Sequence, residues 1–136
     1  MSATRSVKFC NRMNDSVLGS GAPATIACRL WLVAPALDGT GGVECGGNGY
    51  AKATLPNSAG NFPASVAGAK ASAGVFAFPV PTGNGWGAAV AVSTHDDSNN
   101  DLIDLVVFAN IPLPPAVIGG GDTVTVNAGD YTVLVQ

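Results

Sequence analysis

Apolar and polar residues alternate along much of the chain after Pro23, and a period of two predicts β-strands rather than helices. The clearest case is the segment Thr25–Val33, in which every second side chain is apolar while Arg29 and Trp31 point the opposite way. The alternating apolar residues are Ile26, Cys28, Leu30 and Leu32. This segment is therefore predicted to be a strand with one buried face.

Short strand patterns separated by turn residues recur through the rest of the chain. They cover Tyr50–Leu55, Phe62–Val66, Val75–Val80, Trp86–Thr94, Leu102–Asn110, Asp122–Val126 and Tyr131–Val135. Trp86–Thr94 and Leu102–Asn110 flank the polar loop His95–Asp101, which predicts a β-hairpin, and the last two strands flank a turn at 127–130. About six to eight short strands without βαβ alternation predict an all-β fold, an antiparallel β-sandwich of jelly-roll type.

The first twenty residues have a different pattern. Phe9, Met13 and Val17 recur at intervals of four with polar side chains between them, and two glycines follow. This spacing predicts a short amphipathic helix, because residues four apart lie on one helical face and glycine ends helices. An extended arm is the alternative. The predicted organisation is an N-terminal arm or short helix over residues 1–22 and a β-sandwich domain over residues 23–136.

Charged residues are scarce in this sequence. They form 11% of the 136 residues, whereas hydrophobic residues form 47%. Soluble domains usually carry roughly 25% charged residues, so much of the surface is expected to be neutral and polar, or buried against other subunits. The length suits one domain with its own hydrophobic core.

The basic residues are distributed unevenly. All six lie in the first seventy positions, and no Lys or Arg occurs from Ala71 onward. The densest positive group, Arg5, Lys8 and Arg12, is too small for the basic face that phosphate binding requires, so direct nucleic-acid binding is not expected. The N-terminus has no apolar signal-peptide core, and no apolar run reaches the roughly eighteen residues of a membrane helix, so no membrane association is predicted.

Residues that could carry catalysis or bind ligands are few. His95 is the single histidine and no nucleophile-elbow motif is present, so a solvated loop histidine is expected rather than a catalytic one. The loop Asp96–Asp101 lacks EF-hand spacing, which disfavours calcium. Trp31 and Trp86 are expected to pack at sheet or subunit contacts, with an exposed glycan-binding surface as the alternative. We expect no catalytic residue, no metal and no cofactor.

The three cysteines, Cys10, Cys28 and Cys45, are widely spaced and form no C-x-x-C pair. An odd number at these spacings matches neither a closed disulfide framework nor a zinc site. Three free thiols are therefore expected, in a protein made in the cytosol. Cys28 is predicted to point inward with its strand, and Cys45 to lie in a loop.

Three stretches carry a resemblance to a known group of proteins. Ala34–Leu55 runs from a turn through a Gly-rich stretch into Gly-Tyr-Ala-Lys. Phe78–Ile111 contains Phe-Pro, an Asn-Gly turn, Trp-Gly, a strand, a polar loop and an apolar strand, and Gly119–Gln136 contains Gly-Asp-Thr, Ala-Gly-Asp and a last strand. Their order resembles small tailed-bacteriophage virion structural proteins, a family often labelled phage tail fibre or decoration protein. The cysteines, the insert Ala59–Gly74 and the proline-rich crossover at 112–115 depart from that pattern.

The resemblance implies a non-enzymatic structural protein of a tailed-phage virion, made in the bacterial host cytoplasm. The leading hypothesis is a capsid decoration or cement subunit that forms a symmetric homo-oligomer, for example a trimer, and contacts the major capsid protein or tail proteins. The alternatives are a tail fibre, collar or tail-tip subunit, or a receptor- or glycan-binding module. The N-terminal segment combines apolar side chains with the densest positive charge, so it is the expected subunit interface. The residues expected there are Arg5, Lys8, Phe9, Arg12, Met13 and Val17.

Overall fold

A computed structural model describes residues 4–6, 22–64, 69–110, 115–128 and 132–134, which contain twelve short strands. In chain order the strands are β1 (Thr4–Arg5), β2 (Thr25–Val33), β3 (Val43–Glu44), β4 (Ala53–Pro56), β5 (Ala69–Ala71), β6 (Phe76–Ala77), β7 (Gly87–Ala89), β8 (Ala91–Asp96), β9 (Leu102–Val107), β10 (Ala116–Ile118), β11 (Thr125–Val126) and β12 (Thr132–Leu134). One 3-10 turn, Phe108–Asn110, follows β9. The described residues contain no α-helix, and their strand pairs are antiparallel, so the all-β prediction is confirmed.

A six-stranded sheet, called here the main sheet, forms the centre of the fold. Its order is β1-β9-β8-β2, and both β3 and β4 pair with the remaining edge of β2. β2 pairs with β8 from Ile26 to Trp31, and β8 forms a hairpin with β9. The predicted strand at Thr25–Val33 and the predicted hairpin are therefore confirmed.

The predicted strand Trp86–Thr94 is two strands in the structure, because the chain changes its pairing partner at Val90. β7 pairs with β10, whereas β8 pairs with β2 and β9. Val90 itself stays bonded to the main sheet, since its N–H donates to the Trp31 carbonyl at 2.7 Å and its carbonyl accepts from Phe108 N–H at 2.9 Å. A single apolar pattern thus serves two sheets.

Three two-stranded ribbons complete the described fold: β7 with β10, β6 with β11, and β5 with β12. The last two strands of the chain do not pair with each other, since β11 and β12 have different partners. The strand predicted at Phe62–Val66 is not formed by residues 62–64, and residues 65–66 lie outside the described part. The predicted N-terminal helix also lies outside it, in residues 7–21.

Both faces of the main sheet are buried, whereas the sequence predicted one buried face for β2. On the first face, called here the ribbon face, apolar side chains of β2, β8 and β9 share a core with side chains from the ribbons and their loops. The ribbon side of that core consists of Phe76, Phe78, Trp86, Ala89 and Ile118. This core anchors two of the ribbons, β7 with β10 and β6 with β11, against the sheet.

The opposite face, called here the Trp31 face, has a smaller core. Its buried members are Trp31, Ala91, Leu102 and Leu105. The loop at 34–42 covers part of this face: Ala34 packs against the cluster, and a Cβ added at Gly39 would lie 3.5 Å from the Cβ of Leu102. This cover is the physical reason that the prediction of a single buried face is wrong.

Glycines allow the loops beside the ribbons to approach closely. Gly85 has φ +77°, and an added Cβ would lie 2.1 Å from the carbonyl oxygen of Ile118. Asn48 fixes the same corner, because its Nδ2 donates to the Gly85 carbonyl at 2.6 Å while its carbonyl accepts from the Trp86 indole at 3.1 Å. The turns at Asn48-Gly49 and Asn84-Gly85 therefore position Trp86 in the core.

Cys28 and Cys45 are buried free thiols. Cys28 points into the ribbon-face core, as predicted, and Cys45 lies in the loop after β3, where it joins the same core. Cys10 is outside the described residues. Within the described ranges, no helix is long and apolar enough to cross a membrane.

Candidate functional site

The structure places only one of the six predicted interface residues. Arg5 lies in β1, where its backbone is opposite Asp104 of β9. The next residue, Ser6, is buried and donates its N–H to the Ile103 carbonyl at 3.0 Å. Lys8, Phe9, Arg12, Met13 and Val17 lie outside the described residues. The first part of the predicted arm is therefore an edge strand of its own domain.

An open apolar groove lies between the ribbon face and the chain at 116–126. Its volume is about 620 Å³, within the range of natural binding clefts. Leu30 and Val92 contribute from the main sheet, and Phe78 and Phe108 add aromatic rings. Val117, on the wall formed by β10, is 80% exposed. A groove with these walls suits apolar side chains of a partner.

The one ionisable group among the described lining residues of the groove is Asp122. It belongs to the loop between β10 and β11, and its Oδ2 accepts the Gly119 N–H at 2.7 Å. The carboxylate thus holds the loop and gives this side of the groove a negative charge.

A buried hydrogen-bonded chain crosses the Trp31 face. The Trp31 indole donates from Nε1 to Ser93 Oγ at 2.7 Å, and Ser93 Oγ lies 2.8 Å from His95 Nε2. The other ring nitrogen, Nδ1, lies 3.2 Å from the carbonyl oxygen of Asn100. His95 is 3% exposed and belongs to β8. The prediction of a solvated loop histidine is wrong, because the strand extends through His95 and its side chain turns inward.

The two ends of this chain determine the position of every proton in it. An indole N–H can only donate and a carbonyl oxygen can only accept. Ser93 therefore accepts from Trp31 and donates to His95 Nε2, and His95 donates from Nδ1 to Asn100. This is the neutral imidazole with its proton on Nδ1. Burial lowers the pKa of His95 to about 4, and the positive charge of Arg29 also lowers it.

Ser93 and His95 have the separation of a nucleophile and its base, but their surroundings are those of a structural pair. Ser93 has no exposed surface. His95 Nδ1 is bonded to a backbone carbonyl rather than to the carboxylate that orients the base in a catalytic triad. The arrangement holds the end of the hairpin to its strand.

Tyr50 fills a gap at the edge of β2. β4 pairs with β2 from Thr25 to Cys28, and β3 pairs with it at Trp31 and Val33, which leaves Leu30 between them. The Leu30 N–H donates to the Tyr50 hydroxyl at 3.1 Å, and the Leu30 carbonyl accepts from Cys45 N–H at 2.9 Å. A side chain therefore replaces the missing strand partner.

The Tyr50 hydroxyl connects this edge to an ion pair. It donates to Glu44 Oε1 at 2.8 Å, and Glu44 Oε2 accepts from Arg29 Nη1 at 2.8 Å. Burial raises the pKa of Tyr50, and the bond to the Glu44 carboxylate raises it further, so the phenol stays protonated. Both carboxylate oxygens of Glu44 are thus held in place.

The described part of the chain shows no group of three or more His, Cys, Asp and Glu side chains suited to a metal ion. The acidic hairpin tip instead forms local bonds: Asp96 Oδ1 accepts from the Ser98 N–H and hydroxyl at 2.9 and 2.7 Å, and Asp97 contacts Lys52. These bonds order the turn.

Neither tryptophan is available as a glycan-binding surface. Trp31 is 8% exposed and Trp86 is 3% exposed. Each indole N–H is bonded internally, to Ser93 and to the Asn48 carbonyl respectively. The packing role expected for both is confirmed, and the hypothesis of an exposed platform built on them is wrong.

No protein-family model matches the chain, and no curated protein matches it.

Proposed function

We propose that this chain is a non-enzymatic structural subunit of a tailed-bacteriophage virion, acting as a capsid decoration or cement subunit through contacts between subunits. The observation that carries the proposal is the open groove of about 620 Å³, whose apolar walls include the 80% exposed Val117. Apolar surface left open beside a core is a common sign of a protein interface. The resemblance of the turn and strand order to small virion proteins supports the same role.

The proposed occupant of the groove is the N-terminal segment of a neighbouring copy in a symmetric homo-oligomer. In the proposed complex, Phe9, Met13 and Val17 of that segment would contact the apolar walls. Its basic residues face Asp122 and the second half of the chain, which has no Lys or Arg from Ala71 onward. Burying Phe9 and Met13 alone would give roughly 3–6 kcal/mol before entropy costs, against about 0–1 kcal/mol for each exposed ion pair. Apolar contact therefore dominates, and charge sets the orientation.

We propose that the ribbons and the main sheet are two layers of a β-sandwich of jelly-roll type. The support is their common core, in which Phe76, Phe78 and Trp86 from the ribbon side meet Leu30 and Val92 of the sheet. In this arrangement the groove is an opening between the layers, so an inserted side chain extends the core.

The first test is the copy number of the chain in purified phage particles whose genome encodes it. Band intensity or peptide mass spectrometry would be calibrated against the major capsid protein. Hundreds of copies support a capsid position, whereas tens or fewer support the alternative of a tail fibre, collar or tail-tip subunit. Absence of the chain from purified particles contradicts the virion role.

The second test is a pair of matched substitutions. Val117→Asp places a charge on the groove wall, and Val80→Asp places one at a 60% exposed site that does not line the groove. Both variants are expected to fold. Only Val117→Asp should lose self-association in light scattering and incorporation into particles. Equal incorporation of the two variants would contradict the role of the groove.

The third test concerns the N-terminal segment. Deleting residues 2–18 also removes β1, which pairs with β9 of the same chain, so a folding defect would obscure the result. Phe9→Ser combined with Met13→Ser retains β1. A folded variant that no longer joins particles is expected, and normal assembly would show that the segment only caps its own domain.

A further inference from the structure

We propose that the β8–β9 hairpin contains an acid-released latch, in which neutral His95 holds the hairpin tip closed and protonation of its ring lets the tip open. The latch consists of Trp31, Ser93, His95 and the Asn100 carbonyl. It connects a strand of the main sheet to the tip, because His95 lies near the end of β8 while Asn100 lies in the segment between β8 and β9. Asn100 presents its carbonyl from a left-handed backbone conformation, with φ +63°.

With the tip closed, the hydrogen bonds of the latch fit one protonation state of His95, the neutral ring with its proton on Nδ1. Nδ1 already donates to the Asn100 carbonyl, so an added proton must reside on Nε2, opposite Ser93. Ser93 would then receive two donors, from Trp31 and from the ring, and its own hydroxyl proton would lose its acceptor. A buried donor without an acceptor and a buried charge are both costly.

The charged groups around the ring do not remove that cost. From β2, Arg29 faces the ring and opposes its charge; from the chain before β4, Lys52 does the same, while Glu44 of β3 favours the charge. Glu44 is already bonded through one oxygen to Arg29 and through the other to Tyr50. The covering loop contributes Asp38, whose Oδ1 accepts from the Thr40 N–H and hydroxyl.

The hairpin tip carries its own acids. Asp96 Oδ1 accepts from Ser98, Asp97 contacts Lys52, and the Asp101 N–H donates to Asn99 Oδ1 at 3.1 Å. On β9 the register places Leu102 opposite His95, and it places Asp104 opposite Thr94, the residue before His95. The hydrogen bonds of the two ring nitrogens of His95 are with the Ser93 hydroxyl and the Asn100 carbonyl, and neither of these groups is a carboxylate.

The direction of the pH effect follows from linkage. In the closed form, burial lowers the pKa of His95 from 6.5 to about 4 and outweighs the bond to the Asn100 carbonyl, which raises it, whereas an opened tip returns the ring to water and to its ordinary pKa. Between these values the open form binds more protons, so opening is favoured as the pH falls and the closed form is restored as the pH rises. These two pKa values give an opening equilibrium about 25-fold larger at pH 5 than at pH 7.5.

The test is amide hydrogen exchange, corrected for intrinsic rates, at pH 7.5 and pH 5 on the full chain. The reporters are the N–H groups of Asp96 and Asn100, which close the tip by bonds of 2.9 Å to Asp101 and Asp96. The reference is Trp86 N–H, bonded to the Ile118 carbonyl in a ribbon. Acid should accelerate exchange at the reporters by about 25-fold with little change at the reference.

His95→Gln is the control, because it removes the titrating ring and keeps every carboxyl group of the tip. Its reporter amides should show little acid acceleration. Equal acceleration in the two proteins would overturn the latch and assign the effect to the carboxyl groups. If His95→Gln does not fold, NMR titration of the native ring decides: titration coupled to reporter exchange supports the latch, and titration near pH 6.5 without faster exchange refutes it.

Discussion

Replacing Tyr50 with phenylalanine removes one oxygen atom and tests whether a side-chain hydroxyl substitutes for a strand at the edge of β2. The aromatic ring and its packing are retained: its centroid lies 5.0 Å from that of Trp86 in an edge-on contact and 6.3 Å from that of Phe78. What is lost is the acceptor of the Leu30 N–H and the donor to Glu44. The change is therefore specific to the hydrogen bonds.

The magnitude follows from the surroundings of the two bonds. Leu30 is 5% exposed, so its N–H is left without the hydroxyl that accepts from it and costs about 1–3 kcal/mol as an unsatisfied buried donor. The side chain of Glu44 is 26% exposed, so water replaces Tyr50 there and that loss is small. The expected decrease in the free energy of unfolding is about 2 kcal/mol, or roughly 7 °C in Tm.

The assay is urea denaturation at pH 7 followed by the fluorescence of the two buried tryptophans. Glu44→Gln is the matched control, because it keeps an oxygen for the Tyr50 hydroxyl and removes the ion pair and hydrogen bond with Arg29. The side chains of Arg29 and Glu44 are 15% and 26% exposed, so water can solvate both groups after the change and the control should lose less than Tyr50→Phe. If Tyr50→Phe costs no more than Glu44→Gln, the hydroxyl does not act as a strand partner.

Two further predictions concern the loops and the thiols. Gly85→Ala should lower the free energy of unfolding in urea by more than about 3 kcal/mol, because the new Cβ would lie 2.1 Å from the Ile118 carbonyl oxygen. Gly41→Ala is the control, since Gly41 has φ +68° but no atom within 4 Å of an added Cβ, and it should cost only about 1 kcal/mol. Similar losses in the two variants would contradict the clash. Burial raises the pKa of Cys45 to about 11 and also raises the pKa of Cys28, so less of each thiol is ionised at pH 8. Iodoacetamide should therefore modify both cysteines at least about 100-fold more slowly in native protein than in urea, as measured by mass spectrometry. Rapid native alkylation would contradict the burial of these thiols.

The longest strands were predictable because their apolar pattern is set by burial along several residues. β2 has nine residues and β8 and β9 have six each, enough for alternation to be read, and the polar segment between β8 and β9 predicts their hairpin. The ribbon strands have two or three residues each. A period of two cannot be recognised over so short a length, so their partners were not predictable.

The buried polar groups were harder to anticipate because tertiary contacts decide their environment. Ser93 and His95 are two residues apart in one strand, and this spacing could have placed both on the face of Arg29 and Trp31. What the sequence does not show is that residues 34–42 cover this face. Tyr50 was assigned to a strand start, and no local pattern indicates that its hydroxyl binds the backbone of β2.

Burial of both faces of the main sheet changes the meaning of the low charge content. A sheet with one solvated face needs polar side chains at every second position, and this chain would then be short of them unless other subunits covered that face. Here the covering loop and a second core occupy the Trp31 face within one chain. The low content of charged residues is therefore partly explained without a partner subunit on that face. The groove is an open apolar surface beside the core, and Val117 on its wall is 80% exposed. Partner contact is therefore best sought at Val117 and its neighbours, rather than across the whole surface that the composition suggested.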